Sequence, residues 1–221
     1  MEADINAWRK ARRNELLAAR TALPLEQRRE WDERITDFVL RAFPMLQGMT
    51  LGLYWPFKGE VDPRVAALRF RKLGARTALP VVVEKRAPLE FREWHAGVET
   101  RPGVFDLPVP VDTEIVIPDA VLIPPVGIDR QGYRLGYGGG YFDRTLAAIN
   151  PRPLAIALAR ESSRMDTIQP QPYDVPMDFV VTEAGVHHAG SGRLERIEPE
   201  EATRRAEALR ASRRAAMAPR S

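Results

Sequence analysis

Across residues 4–22, Ile5, Trp8, Leu16, Ala19 and Leu23 recur with Arg12 at three- and four-residue spacing. That period predicts a first helix. Pro24 opens a second helix with Trp31, Ile35, Phe38 and Ala42 as its buried stripe, and Pro44 ends it. Thr50 to Trp55 is a short apolar run between turn residues, the mark of a strand. Asp62-Pro63 supplies an N-cap and a first-turn proline for a third helix that stops at Gly74. Arg76 to Val83 is β-rich, Leu89 to Trp94 alternates, and Ala120 to Ile123 is continuously apolar, so each is read as a strand. A helix over Tyr141 to Ile149 and strands over Leu154 to Ala159 and Phe179 to Thr182 complete the pattern. Residues 184–197 read as a polar connector. The stretch 198–217 has a weak apolar face and reads as a loosely docked helix or a disordered end.

Strands interleaved with helices predict an α/β fold: a layered, mostly parallel sheet flanked by helices. Its expected organisation is one domain over 1–197 with a basic carboxyl-terminal helix or tail over 198–221. The ligand site of such a sheet is expected at the carboxyl ends of its strands.

Composition narrows the classes. The chain has 221 residues, 44% apolar and 29% charged, with no cysteine, so thiolate metal sites, disulfides and a cysteine nucleophile are excluded. No apolar run approaches the roughly 20 residues of a membrane span, and the opening Met1-Glu2-Ala3-Asp4 lacks the layout of a secretion signal. A cytoplasmic monomer is expected. The net charge is +3, and residues 200–221 carry six arginines against three glutamates, so the tail holds the whole excess. A nucleic-acid partner would have to use that tail, and the charge is too small to argue for one.

The candidate chemistry lies between the strand at 120–123 and the helix at 141. The loop there has glycines at 132, 136, 138, 139 and 140, and bare N–H groups can approach a ligand closely at such positions. A helix amino end adds donors and a positive dipole, so phosphate is the natural guest. Glycines alone would also fit a flexible turn. The flanking groups favour a site: Arg134 and Arg144 bracket the loop, Tyr141 and Phe142 adjoin it, and Asp143 is placed to hold a phosphate-bound Mg²⁺. The spacing matches neither the dinucleotide fingerprint nor a Walker loop. His95 and the His187-His188 pair lack partners at metal spacing, and no serine occupies a nucleophile elbow.

The run Gly132-Tyr-Arg-Leu-Gly-Tyr-Gly-Gly-Gly-Tyr-Phe-Asp-Arg144 resembles the signature of the 5-formyltetrahydrofolate cyclo-ligase family. The resemblance extends over roughly residues 5–183. It implies a single domain of that family's type and an ATP- and Mg²⁺-dependent conversion of 5-formyltetrahydrofolate to 5,10-methenyltetrahydrofolate, with release of ADP and phosphate. The altered alternative is a paralogue that binds a folate or a phosphorylated metabolite without that turnover.

By the resemblance, a basic pair on the first helix contacts the ATP phosphates. Arg9 and Arg13 match it best, with Lys10 as the alternative if the register slips. By charge alone the pair better suits a solvated helix face, which tolerates a repulsion of a few tenths of a kcal/mol, and the resemblance reverses that reading. ATP is expected to contact Arg134, Leu135, Gly136, Tyr137, Gly138, Gly139, Gly140, Tyr141 and Phe142. Arg134, Asp143 and Tyr141 are the expected catalytic residues, and Asp143 the metal ligand. Within Tyr54-Trp-Pro-Phe-Lys-Gly-Glu-Val-Asp62, Trp55 and Glu60 fall on substrate-contacting positions, and a flat heteroaromatic ring suits an aromatic partner and a carboxylate acceptor. Phe105 and Tyr141 complete the expected folate contacts. Asp174 and Asp178 match a carboxyl-terminal motif that closes over the nucleotide, although turn capping would explain them equally. Two departures stand out. Tyr137 and Gly139 occupy places where members often carry Arg-x-Lys, and Gly103-Val-Phe-Asp-Leu-Pro-Val-Pro110 lacks the usual acid-proline pair.

Overall fold

The two amino-terminal periodic stretches form helices α1 (Glu2–Ala22) and α2 (Leu25–Ala42). The computed structural model that shows this describes residues 2–190 and 192–217. Then follow β1 (Thr50–Gly52), α3 (Arg64–Lys72), β2 (Arg76–Val81), β3 (Glu90–Glu93) and a hairpin of β4 (Thr100–Pro102) and β5 (Pro108–Pro110). The second half contains β6 (Ala120–Ile123), β7 (Gly127–Asp129), β8 (Arg134–Leu135), α4 (Tyr141–Ala148), β9 (Leu154–Leu158) and β10 (Arg164–Met165). It closes with β11 (Phe179–Thr182), β12 (Gly185–His188), β13 (Glu195–Ile197) and α5 (Pro199–Ala215).

Eight strands make one sheet in the order β13-β12-β11-β9-β6-β1-β2-β3. The five from β11 to β2 run parallel, and the edges β3, β12 and β13 are antiparallel. Central strands are apolar throughout because both faces are covered. Ala120, Leu122, Leu154 and Ile156 face the core under α2, α3 and α5, where Phe43 meets Phe179 edge-on at 5.2 Å. Their neighbours Val121, Ile123, Ala155 and Ala157 face the other core with Leu146 of α4. A smaller sheet, β10-β7-β8, lies beside the main one and carries the chain into the glycine loop.

Two expectations are corrected. The polar connector over 184–197 contains β12 and β13, which extend the main sheet antiparallel. Val186 and Leu194 are buried and Ile197 packs against the core, but they are scattered among polar residues, so the composition hides the pairing. The expected loose end over 198–217 is the packed helix α5, with Ala202 and Ala206 fully buried. The Thr203 hydroxyl donates to the carbonyl of Ala42 at 2.9 Å. Arg213 binds the Asp178 carboxylate at 2.6 and 3.0 Å. Small alanines allow close helix approach while giving little hydrophobic contrast. Arg204 and Arg205 are paired with Glu201, and Arg210 and Arg214 with Asp119. Among the described residues no helix is long and apolar enough to cross a membrane.

Docking of α5 makes a testable demand. Ala206→Glu puts an unpaired charge into the interface with α2 and is expected to cost about 3–5 kcal/mol, read as a lower urea midpoint. An unchanged midpoint would contradict the docked helix.

Candidate active site

Strand order reverses between β1 and β6: β1 leads outward to β2, and β6 leads the other way to β9. Such a switch opens a crevice at the carboxyl ends of the strands. A cavity of about 980 Å³ lies here, walled by Tyr54 and Trp55 beyond β1, Val81 and Val82 at the end of β2, and Pro124 beyond β6. The glycine loop, α1 and the β4–β5 hairpin close its other sides.

The glycine loop is set by a buried carboxylate. Asp129 accepts from the amides of Gln131 and Tyr133 at 2.9 Å each and from Ile168 at 3.1 Å. The chain then passes through β8 and reaches Gly140 in the left-handed region at φ 63°, which glycine tolerates without strain. Gly140 caps α4 without a side-chain hydrogen bond, leaving first-turn amides free. At Gly139 a Cβ would come 2.8 Å from the Tyr141 ring, so the close fold of the loop requires its absence.

Three elements bring cations to this loop. Arg13 of α1 donates from Nε to the carbonyl of Gly136 at 2.7 Å, and Arg144 of α4 donates to that of Gly139. Arg134 is buried and ion-paired with Asp143 at 2.7 Å. Burial lowers the pKa of Arg134 and the nearby Asp143 opposes that, while Arg13 is lowered by burial and by Arg9. The Nε atoms of Arg134 and Arg144 are buried without a hydrogen-bond partner among the described residues. Unpaired buried donors are costly, and two of them on one cavity fit an anionic ligand.

Arg9 is held differently. Its guanidinium donates to the carbonyls of Ile168 and Gln169 at 3.0 and 2.8 Å and pairs with Asp174 at 2.5 Å. Arg9 and Arg13 both line the cavity, one helical turn apart. Lys10 is exposed and does not line it, because it lies about 100° round the helix from Arg9. Leu135, Gly136, Tyr137, Gly138, Tyr141 and Phe142 all form the wall. Asp143 also accepts from the Val175 amide at 3.1 Å, tying α4 to the segment before β11.

The opposite wall is aromatic. Trp55 meets Trp94 edge-on at 6.0 Å and carries the Arg64 guanidinium 4.4 Å from its ring centroid. Phe105, at the tip of the β4–β5 hairpin, is 73% exposed and stacks with Phe57 at 6.4 Å. Below them Glu60 is buried. It accepts from the Phe57 amide and the Tyr137 hydroxyl, each at 2.9 Å. Burial raises its pKa, against Arg20, the Phe57 amide and Tyr137.

The cavity wall carries seven cationic side chains (Arg9, Arg13, Lys58, Arg86, Arg101, Arg134 and Arg144) against three carboxylates (Glu60, Asp143 and Asp174). Lys58 lies within the Tyr54–Asp62 segment without a role of its own there, and Arg86 and Arg101 belong to no motif or period, so the sequence held no signal for those two. Asp178 lies elsewhere: it pairs with Arg152 and Arg213 and accepts from the Ala155 amide, anchoring α5. His187 and His188 contact Arg164 and Arg205. No group of three or more His, Cys, Asp or Glu that could hold a metal occurs among the described residues.

A model of the 5-formyltetrahydrofolate cyclo-ligase family matches residues 5–183. The chain belongs to that family. Among relatives, the 5-formyltetrahydrofolate cyclo-ligase of Mycolicibacterium smegmatis is 32% identical over 178 residues, covering 74% of this chain and 91% of the relative. That of Escherichia coli K12 is 28% identical over 174 residues, covering 76% and 96%. Among solved structures, the Aquifex aeolicus 5,10-methenyltetrahydrofolate synthetase superposes with a TM-score of 0.73 at 28% identity, covering 84% of this chain and 94% of that one. The Mycoplasma pneumoniae enzyme of the same name shares the fold, with a TM-score of 0.65 at 24% identity over 79% and 98%. The family match stops before β12, β13 and α5, which lie at the sheet edge and on one face.

The Arg134–Asp143 pair is expected to matter for folding as well as chemistry. Asp143→Ala leaves a buried guanidinium without its anion and should cost about 3–5 kcal/mol in urea unfolding. Arg134→Met added to it should recover part of that loss. Full stability in the single variant would show that the pair is not buried in solution.

Proposed function

We propose that this chain converts 5-formyltetrahydrofolate to 5,10-methenyltetrahydrofolate, driven by ATP with Mg²⁺ and releasing ADP and phosphate. The observation that carries this reading is one cavity with two unlike ends. A cationic glycine loop with unpartnered guanidinium nitrogens suits a triphosphate, and an aromatic wall above a buried carboxylate suits a pterin.

A formyl oxygen on nitrogen is a poor leaving group. In the proposed reaction it attacks the γ-phosphorus, the bond to ADP breaks, and the oxygen becomes part of a phosphate ester. N10 of the folate then attacks the activated carbon. Phosphate departs with the C–O electron pair, and the N10 proton leaves to phosphate or solvent. Both steps move negative charge among phosphate oxygens, so positioning and charge neutralisation supply most of the catalysis. Arg13, Arg134 and Arg144 are assigned to the phosphates, with the loop amides of Gly138 to Gly140 and the first turn of α4 as further donors. Arg9, fixed by Asp174, sets the electrostatic potential behind Arg13. Trp55, Phe105 and Tyr141 would flank the folate, and Glu60 would accept from its ring N–H groups.

The residues fit a magnesium ion that arrives with the nucleotide and do not form a metal cage of their own. Asp143 faces the cavity as one carboxylate, already shared with Arg134, and Mg²⁺ commonly takes one or two carboxylates with phosphate oxygens. Bound there, the ion would neutralise charge on the transferring phosphoryl group.

The reading is tested by following methenyltetrahydrofolate formation optically with 5-formyltetrahydrofolate, ATP and Mg²⁺. No product, together with retained nucleotide binding, would overturn it in favour of a non-catalytic paralogue. Glu60 supplies a sharper form. Its ionised form is the acceptor and burial raises its pKa, so kcat/KM for the folate should fall as pH drops, beginning above the ordinary glutamate range. Glu60→Gln should remove that acid limb and lower kcat/KM by about tenfold to a hundredfold, the worth of one charge-assisted hydrogen bond. An unaltered pH profile would remove Glu60 from the folate site.

A further inference from the structure

Tyr137 sits in the middle of the glycine loop, and its hydroxyl is engaged by residues outside the loop. Its hydroxyl donates to Glu60 Oε1 at 2.9 Å and accepts from Arg20 Nη2 at 2.5 Å. Arg20 is itself fixed, donating from Nε to the carbonyl of Lys58 and from Nη1 to that of Pro125, both at 3.0 Å. The Tyr137 ring packs beside Phe57 at 6.3 Å, and the Phe57 amide holds the other oxygen of Glu60. One hydroxyl therefore joins α1, the loop after β1 and the glycine loop.

The glycine loop has few other ties. Residues 137–139 are exposed, and Arg13 and Arg144 hold the neighbouring carbonyls of Gly136 and Gly139. Both of those ties come from cations that a triphosphate would engage. Among the described residues the Tyr137 tie alone leads from the loop to the carboxylate at the aromatic end. Tyr137 also stands where the resemblance leads one to expect an arginine, so this chain has a neutral link in place of a phosphate-directed charge.

From this geometry we infer that Tyr137 is a positioning residue that couples the two ends of the cavity, so that the folate and the nucleotide bind synergistically. The inference rests on the cyclo-ligase reading of the site. Folate N–H groups on Glu60 would exclude water from that carboxylate and fix its orientation. A hydrogen bond in drier surroundings is stronger, so the Tyr137 hydroxyl is held more firmly. The loop amides are then already in place when the phosphates arrive, and less ordering remains to be done at that step. By linkage the effect is reciprocal: nucleotide must tighten folate by the same factor.

Calorimetric titration of the full chain with a non-hydrolysable ATP analogue and Mg²⁺, with and without saturating 5-formyltetrahydrofolate, reads this without turnover. The unaltered protein should bind the analogue at least about fivefold tighter in the presence of the folate. Tyr137→Phe keeps the ring and its packing on Phe57 but removes the hydroxyl, and its ratio should fall to within about twofold of one. Its thermal unfolding should remain one cooperative transition well above the titration temperature, even if the midpoint falls by a few degrees, which separates lost coupling from lost fold. A ratio near one in the unaltered protein, or an undiminished ratio in Tyr137→Phe, would overturn the inference while leaving the cyclo-ligase reading in place. Failure of the unaltered protein to bind 5-formyltetrahydrofolate at all would overturn both.

Discussion

Burial of arginine organises this site. A guanidinium removed from water needs its charge and its N–H groups answered, and the fold answers them with residues far apart in sequence. Arg9 of the first helix is held by Asp174 and by the carbonyls at 168 and 169. Arg134 is held by Asp143, which also takes the Val175 amide. These two pairs pull α1, the glycine loop, α4 and the segment before β11 around a single crevice. Among the described residues the answer is incomplete at several guanidinium nitrogens, and two of them, Nε of Arg134 and of Arg144, belong to residues of the cavity wall. Those two unpartnered donors fit the anionic guest of the proposed reaction.

Much of this was legible in the sequence, and the reasons are local. Helical period marked α1, α2 and α3, and continuous apolar runs marked β6, β9 and β11. The glycine loop announced a phosphate-like guest because backbone freedom, flanking cations and a helix start coincide within a dozen residues. What stayed hidden depends on long-range pairing. β12 and β13 are short and mostly polar, and they become strands because the edge of β11 is available to them. The helix α5 docks through two alanines and through Arg213 reaching Asp178, neither of which leaves a hydrophobic stripe to read. The Arg20–Tyr137–Glu60 link joins positions on three separate elements, which no spacing in one chain could reveal.

The two departures from the family pattern have different consequences in three dimensions. With Tyr137 and Gly139 in place of the expected loop charges, phosphate recognition in the proposed reaction would fall to arginines flanking the loop: Arg13 on α1, Arg134 on β8 and Arg144 on α4. The altered 103–110 segment puts Phe105 at an exposed hairpin tip, stacked on Phe57 above the buried Glu60. In the proposed reaction these parts divide the work. The aromatic wall and Glu60 orient the folate, and the arginines and loop amides bear the charge of the transferring phosphoryl group.

The central claim is that this charge is carried while the formyl oxygen itself is phosphorylated. It is tested most directly with 5-formyltetrahydrofolate labelled with ¹⁸O in the formyl group, turned over with ATP and Mg²⁺, followed by mass analysis of the released phosphate. The account predicts one ¹⁸O in each inorganic phosphate formed with methenyltetrahydrofolate. Unlabelled phosphate, with the ¹⁸O recovered in water, would contradict it.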